Sequence, residues 1–351
     1  MILPDRYRLS NPLAAGGMGE IYKCIDTHLN REVVLKILKQ GEEARRLFDE
    51  QKALLQIRSR HVVQLYDIIE VSFSGQLHPA LILEYIDGDT LSVGCQEPGE
   101  NYLKTLWQIA CGLTAIHKSG IIHRDIKPAN IKIDTSGNLK ILDFGLSRRN
   151  GENAATVNAI GTPIFMAPEL WKKEDVSFDK SIDVYAFSIT ALALKKDAII
   201  PHALGTYPPG KLNAGDLSSY LEGIPSNITL LLEQCLSHNI GERPSISEVE
   251  VALKRHLLYN KHRALLVADG AIYELHKDST HVNVKIASLG SISINYDGYD
   301  FIVKDQSGFV TVNNTIIANG AVLPHCCVLT FGNGTSRKFI TFDVSNPEVM
   351  P

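Results

Sequence analysis

The chain has 351 residues, 44% of them hydrophobic, enough to bury two or more cores, so a generally disordered protein is excluded. Its formal net charge of −4, with no basic arm or acidic tail, argues against a nucleic-acid partner. The cysteines at 24, 95, 111, 235, 326 and 327 have no CxxC spacing, which argues against a zinc site or disulfide framework and fits a reducing cytosol.

The N-terminal residues Met1–Arg6 lack a basic stretch followed by an apolar core. No apolar run approaches the roughly 20 residues of a membrane-spanning helix, so the expectation is a cytoplasmic protein without a membrane partner. From Tyr7 to about Val71, short β-like runs surround a glycine-rich turn. In Ala15, Gly16, Gly17, Met18, Gly19, Glu20 and Ile21 the small residues fall in an expected hairpin, where missing side chains let backbone N–H groups approach a phosphate. A ligand-free surface turn uses such a cluster equally well. The next strand, Val33–Leu38, is apolar except for Lys36, and Val34 is its neighbour two positions earlier. A lone lysine in such a run ordinarily snorkels to solvent. Here a helical stretch follows, and Glu50 on its face is the preferred ionic partner over Glu42 and Glu43.

Ala80–Gly88 reads as an apolar strand that stops at Gly88, as a connection between two lobes would. Helical spacing then dominates over Tyr102–Ser119, Asp183–Leu194, Ile228–Cys235 and Ser247–Leu257. Between these helices lies His123-Arg124-Asp125-Ile126-Lys127-Pro128-Ala129-Asn130, and then Asp143-Phe144-Gly145. Phosphoryl transfer needs a carboxylate to orient a hydroxyl, oxygen ligands for magnesium and cations against phosphate charge, and these two stretches carry all three residue types. From Ala264 onward the texture changes to short Val, Ile and Thr runs punctuated by Asp297-Gly298, Asn313-Asn314, Asn319-Gly320 and Asn333-Gly334, an all-β signature.

Together with Ala167-Pro168-Glu169 and Asp183-Val184-Tyr185-Ala186-Phe187, these motifs resemble the eukaryotic-like (Hanks-type) protein kinase superfamily over about residues 7–257. The short lobes and the Gly-Gly-Met-Gly loop resemble its bacterial or phage-borne members. The resemblance implies an α+β bilobal fold: a catalytic domain over 1–258, with a small β-rich N-lobe to about 86 and a larger helical C-lobe. It implies ATP and Mg2+ as cofactors and protein Ser/Thr hydroxyls as substrates. By carry-over, Asp125 is the catalytic base, Asn130 and Asp143 hold magnesium, and Lys36 paired with Glu50 positions the α/β-phosphates. Lys127 neutralises the transferred phosphoryl group, which favours Ser/Thr over Tyr. Leu83 matches the gatekeeper, so Glu84 and Ile86 present backbone groups to adenine, with the alternative of a plain buried strand end. His123 holds the catalytic loop, Asp183 caps it, and Glu169 pairs with Arg243. Residues 146–165 match the activation loop, with Thr156 the expected autophosphorylation site opposite Arg124.

Two departures stand out: Ala14 replaces a customary loop glycine, and Val34 a smaller residue over adenine. The segment 264–347 resembles a forkhead-associated β-sandwich, a fold that binds phosphothreonine peptides. There Ser288 falls near the phosphate-binding serine, while Leu289, Ser291 and Gly308 replace an arginine, a histidine and an asparagine, so the phosphopeptide or protein partner site is eroded. Alternative readings are a pseudokinase scaffold, a small-molecule kinase, and a dual or tyrosine-specific enzyme; the oligomeric state is left open.

Overall fold

A computed structural model describes residues 1, 3–16, 19–38, 55, 57–143, 148–149, 163–171, 179–345, 347 and 349. The chain divides into two compact units, Met1–Leu253 and Lys254–Met350. In the first, β1 (Tyr7–Gly16), β2 (Gly19–Asp26), β3 (Arg31–Leu38), β4 (Leu65–Phe73) and β5 (Gln76–Glu84) form an antiparallel sheet of order β1-β2-β3-β5-β4. Strand alternation sorts its residues. Cys24, Val33, Leu35, Ile37, Ala80 and Ile82 share a buried cluster with Tyr7 and Val71, while the intervening residues are left for the opposite face. β5 ends at Glu84, four residues short of the expected stop at Gly88, because 85–87 leave the ladder and Gly88 opens a new strand.

That strand, β6 (Gly88–Thr90), leads to helix α1 (Glu100–Lys118), whose Leu103, Leu106, Ile109, Ala110, Leu113 and Ile116 are buried at helical spacing. His117 and Lys118 stand in its last turn, where the helix dipole favours positive charge. β7 (Ile121–Ile122), β8 (Ile131–Asp134), β9 (Leu139–Ile141) and β10 (Arg148–Arg149) follow; β6-β8-β9 make one small sheet and β10-β7 another. Helix α2 (Ser181–Leu194) has every residue buried, as its apolar sequence on all sides demands. Helices α3 (Ser226–Cys235) and α4 (Ile246–Leu258) complete this run. At α4 the Ser245 hydroxyl accepts from Glu248 N–H and the Glu248 carboxylate from Ser245 N–H, a reciprocal capping box. The expected helix around Glu50, and most of the expected activation loop with Ser147, Thr156 and Thr162, lie outside the described residues.

The second unit holds β11 (Arg263–Ala268), β12 (Ala271–Leu275), β13 (His281–Ile286), β14 (Gly290–Tyr296), β15 (Phe301–Gly308), β16 (Val310–Val312), β17 (Thr315–Ile316), β18 (Cys326–Phe331) and β19 (Lys338–Ser345). Its sheets have orders β12-β11-β19-β18-β16-β17 and β13-β14-β15. One apolar cluster draws on both, including Leu266, Val284, Ile294, Phe301, Leu329, Phe331 and Phe342. Asn313 and Asn314 turn with φ of 49° and 66°, a conformation asparagine tolerates. All six cysteines are free; burial pushes the Cys24 thiol up to about 11 and the Cys235 thiol up to about 12.

Candidate active site

The register of the large sheet sets the first wall. Ile21 pairs with Lys36 and Lys36 with Leu81, while Lys23 pairs with Val34 and Val34 with Leu83. Directly paired residues share a face, as do residues two apart, so Ile21, Val34, Lys36 and Leu83 come together on the side opposite the buried cluster. The β1–β2 hairpin closes with Ala15 opposite Glu20 and Gly16 opposite Gly19, while Gly17 and Met18 lie outside the described residues. Lys36 is 7% exposed, and its Nζ stands 2.5 Å from Asp143 Oδ1. Glu50, its expected partner, lies outside the described residues. Asp143 has φ of 53°, a left-handed backbone that an aspartate accommodates better than a branched residue does.

The loop after β7 is organised from below by Asp183, a fully buried carboxylate in the first turn of α2. Its Oδ2 accepts from His123 N–H at 2.8 Å and meets His117 Nε2 at 2.8 Å; its Oδ1 accepts from Arg124 N–H at 2.8 Å. Burial opposes its charge, but the His117 contact, the nearby imidazoles and the backbone donor outweigh burial and hold the carboxyl below the usual range. The same bonds fix Arg124 at φ of 70°, a conformation a non-glycine residue rarely adopts. His123 Nδ1 accepts from Asp125 N–H at 3.3 Å, so the proton sits on Nε2, which donates to Leu142 O at 2.8 Å. With both nitrogens engaged, His123 ties the loop to the residue before Asp143.

Asp125 is 9% exposed, and its Oδ2 accepts from Asn130 Nδ2 at 2.8 Å and lies 2.9 Å from Lys127 Nζ. Asn130 Nδ2 also donates to the Asp125 carbonyl at 2.7 Å. The amide nitrogen is thereby used up and Oδ1 is the atom left for a cation. Leu142 N–H donates to the Asn130 carbonyl at 2.8 Å, which sets Asp143 beside Asn130. Among the described residues no group of three or more His, Cys, Asp or Glu could hold a metal by itself. A carboxylate and an amide oxygen do fit magnesium, which is usually bound by one or two protein oxygens together with phosphate oxygens and water.

Sequence reasoning passed over two lysines at the other end of this site. Lys132 in β8 and Lys140 in β9 are direct cross-strand partners. Lys140 Nζ lies 2.8 and 2.9 Å from the two carboxylate oxygens of Glu84, and Glu84 Oε2 also accepts from Gln64 N–H at 3.1 Å. Lys132 Nζ donates to Ile86 O at 3.1 Å. Each is a lone cation in an apolar strand, the same signal that singled out Lys36. Farther off, Arg243 grips Glu169 through two bonds of 2.6 and 2.8 Å, with the arginine side chain 1% exposed. Among the described residues no helix is long and apolar enough to cross a membrane.

A buried aspartate held by an asparagine and a lysine of one loop, beside a second aspartate gripped by a strand lysine, is the arrangement of a phosphotransferase cleft. The model of the protein kinase domain matches residues 7–253, and the chain belongs to that family. Among its relatives are a probable serine/threonine-protein kinase of Clostridium acetobutylicum, 28% identical over 67% of this chain and 37% of the relative. Serine/threonine-protein kinase pkn2 of Myxococcus xanthus is 32% identical over 67% of this chain and 31% of its own length. Serine/threonine-protein kinase PknL of Mycobacterium tuberculosis is 31% identical over 55% of this chain and 50% of its own. The chain thus matches about a third to a half of the length of these relatives.

Proposed function

We propose that this chain is an ATP- and Mg2+-dependent protein kinase that transfers the γ-phosphoryl group to Ser/Thr hydroxyls of protein substrates. The observation that carries the reading is Asp125, buried and oriented by Asn130 and Lys127 on a loop that Asp183 clamps. Asp125 orients the substrate hydroxyl and accepts its proton, and Lys127 meets the charge of the moving phosphoryl group. Asn130 Oδ1 and Asp143 would hold Mg2+, which would supply positive charge against the phosphates. Lys36 then turns from Asp143 toward the α/β-phosphates, with Glu50 as its second partner. Ile21, Val34 and Leu83 enclose adenine with the Ala15–Gly19 hairpin, and Glu84 and Ile86 offer it backbone groups. Lys127 together with the kinase names of the relatives supports Ser/Thr specificity.

The second unit is a forkhead-associated-like domain for regulation or recruitment of a phosphopeptide or protein partner. Its support is the pairing of the two sheets in one core and the close approach of Gly290 and Gly308 beside Ser291 and Ser307, whose hydroxyls are 2.8 Å apart. Thr156 is an autophosphorylation site, and the protein acts in the cytoplasm. Incubation with γ-labelled ATP, magnesium and a generic basic protein tests the catalytic reading. Label on Ser/Thr that disappears with a chelator is expected, and no transfer under any divalent cation would overturn it.

A further inference from the structure

We propose that a cavity between α1, α2 and α4 binds a small phosphate monoester. The cavity, about 350 Å³ in volume, lies among the last turn of α1, the first turn of α2 and the start of α4; Thr114, His117, Lys118, Lys180, Ser181 and Ser247 are among the residues that line it. None of the groups assigned to phosphoryl transfer is on its wall. Its volume stands at the lower end for small-molecule sites, with room for a phosphate group and a small organic body.

Two features of the wall call for a ligand. Thr114 is 4% exposed and Ser181 8%, yet neither Thr114 Oγ1 nor Ser181 Oγ has a hydrogen-bond partner. A helical threonine can bond the carbonyl one turn back, and Thr114 does not. Buried hydroxyls without partners are rare, and two on one cavity wall are answered by a group that enters it. Independently, α4 begins here, and neither the Ile246 nor the Ser247 N–H has a partner among the described residues. Such first-turn amides carry the positive end of the helix dipole.

The surrounding charges decide the chemical class. Lys118 and Lys180 make no ion pair among the described residues. Arg243 is occupied by Glu169 and by the Ser181 and Ser237 carbonyls. The carboxylates nearest in sequence are engaged as acceptors: Asp179 Oδ1 accepts from Ser181 N–H at 2.8 Å, and Glu248 Oε2 from the Ser245 N–H and hydroxyl, each at 2.7 Å. What remains is a set of donors: two ammonium groups, two amides and two hydroxyls. A phosphate meets several of them at once with charge-assisted bonds, whereas a neutral polyol leaves the ammonium groups unanswered. His117 lines the same cavity with its Nε2 2.8 Å from Asp183 Oδ2, so a bound anion stands one side chain from the carboxylate that clamps the catalytic loop.

Calorimetric titration of the full chain with inorganic phosphate and with glucose 6-phosphate, beside glucose and sodium chloride of matched ionic strength, tests the site. Both phosphates should bind saturably and raise the melting temperature, and glucose should do neither. Affinity for both should fall about tenfold or more in the double variant Lys118→Met/Lys180→Met, and about tenfold in Ser181→Ala. The Ser181 hydroxyl makes no bond in the free protein, so the ligand-free melt of Ser181→Ala should match wild type, which separates loss of the ligand from loss of the fold. The proposal is overturned if neither phosphate binds saturably, if the double lysine variant binds them as tightly as wild type, or if glucose binds as well as glucose 6-phosphate. A phosphoserine peptide that binds where both small phosphates fail overturns it too.

Discussion

Asp183→Asn is the substitution that examines the catalytic-loop clamp most closely. The asparagine is nearly isosteric, so packing against α1 and α2 is retained. Its amide oxygen can still accept one backbone N–H, but the amide nitrogen then faces the two donors that met Oδ2, His123 N–H and His117 Nε2, both at 2.8 Å. Two hydrogen bonds to a buried charge are lost, at about 1.5–3 kcal/mol each, so unfolding should become easier by about 3–6 kcal/mol. For a unit of this size that lowers the melting temperature by roughly 6–24 °C. Because the folded carboxyl titrates below its unfolded value of 3.8, its stabilising contribution is complete above that pH and is lost as pH falls toward the folded value. The gap between wild type and variant should therefore be full at neutral pH and close below about pH 4. Calorimetric melts across pH, read beside the transfer rate, make the check. A melting temperature within about 1 °C of wild type at pH 7 would refute the clamp.

Two further substitutions probe the frame around the site. Arg243→Ala breaks a pair whose arginine is 1% and whose glutamate is 11% exposed, leaving Glu169 uncompensated; denaturant titration should read a loss of about 3–5 kcal/mol, and a loss under 1 kcal/mol would contradict the buried pair. Gly308→Ala would put a Cβ 2.5 Å from Leu289 O and 2.8 Å from the Gly290 Cα at φ of +75°, costing about 1–3 kcal/mol. Amide exchange should accelerate within Lys254–Met350, and acceleration confined to Met1–Leu253 would show that the clash lies elsewhere.

What could be read from sequence followed from how local each signal is. Helices α1, α3 and α4 declared themselves because apolar residues at 3.6 spacing need no partner to be recognised, and α2 because it is apolar on every side. That Asp125, Asn130 and Asp143 stand together was legible because two short motifs carry them. The end of β5 was less so: it falls at Glu84 and not at Gly88, since the residues that follow are apolar enough to imitate a strand while their backbone leaves the ladder. Lys132 and Lys140 were hidden because their meaning lies in a register pairing and in contacts about 50 residues away along the chain, which periodicity cannot register. For Lys36, the sequence offered a helical glutamate, whereas the described partner is Asp143, a contact between residues 107 positions apart.

The central claim is that Asp125 carries the transfer step. Purified wild type and Asp125→Asn, each given γ-labelled ATP, magnesium and a basic protein substrate, should differ by about 10²–10⁴-fold in the rate of label appearing on serine and threonine, with ATP binding retained in the variant. Equal rates in the two proteins would contradict the account.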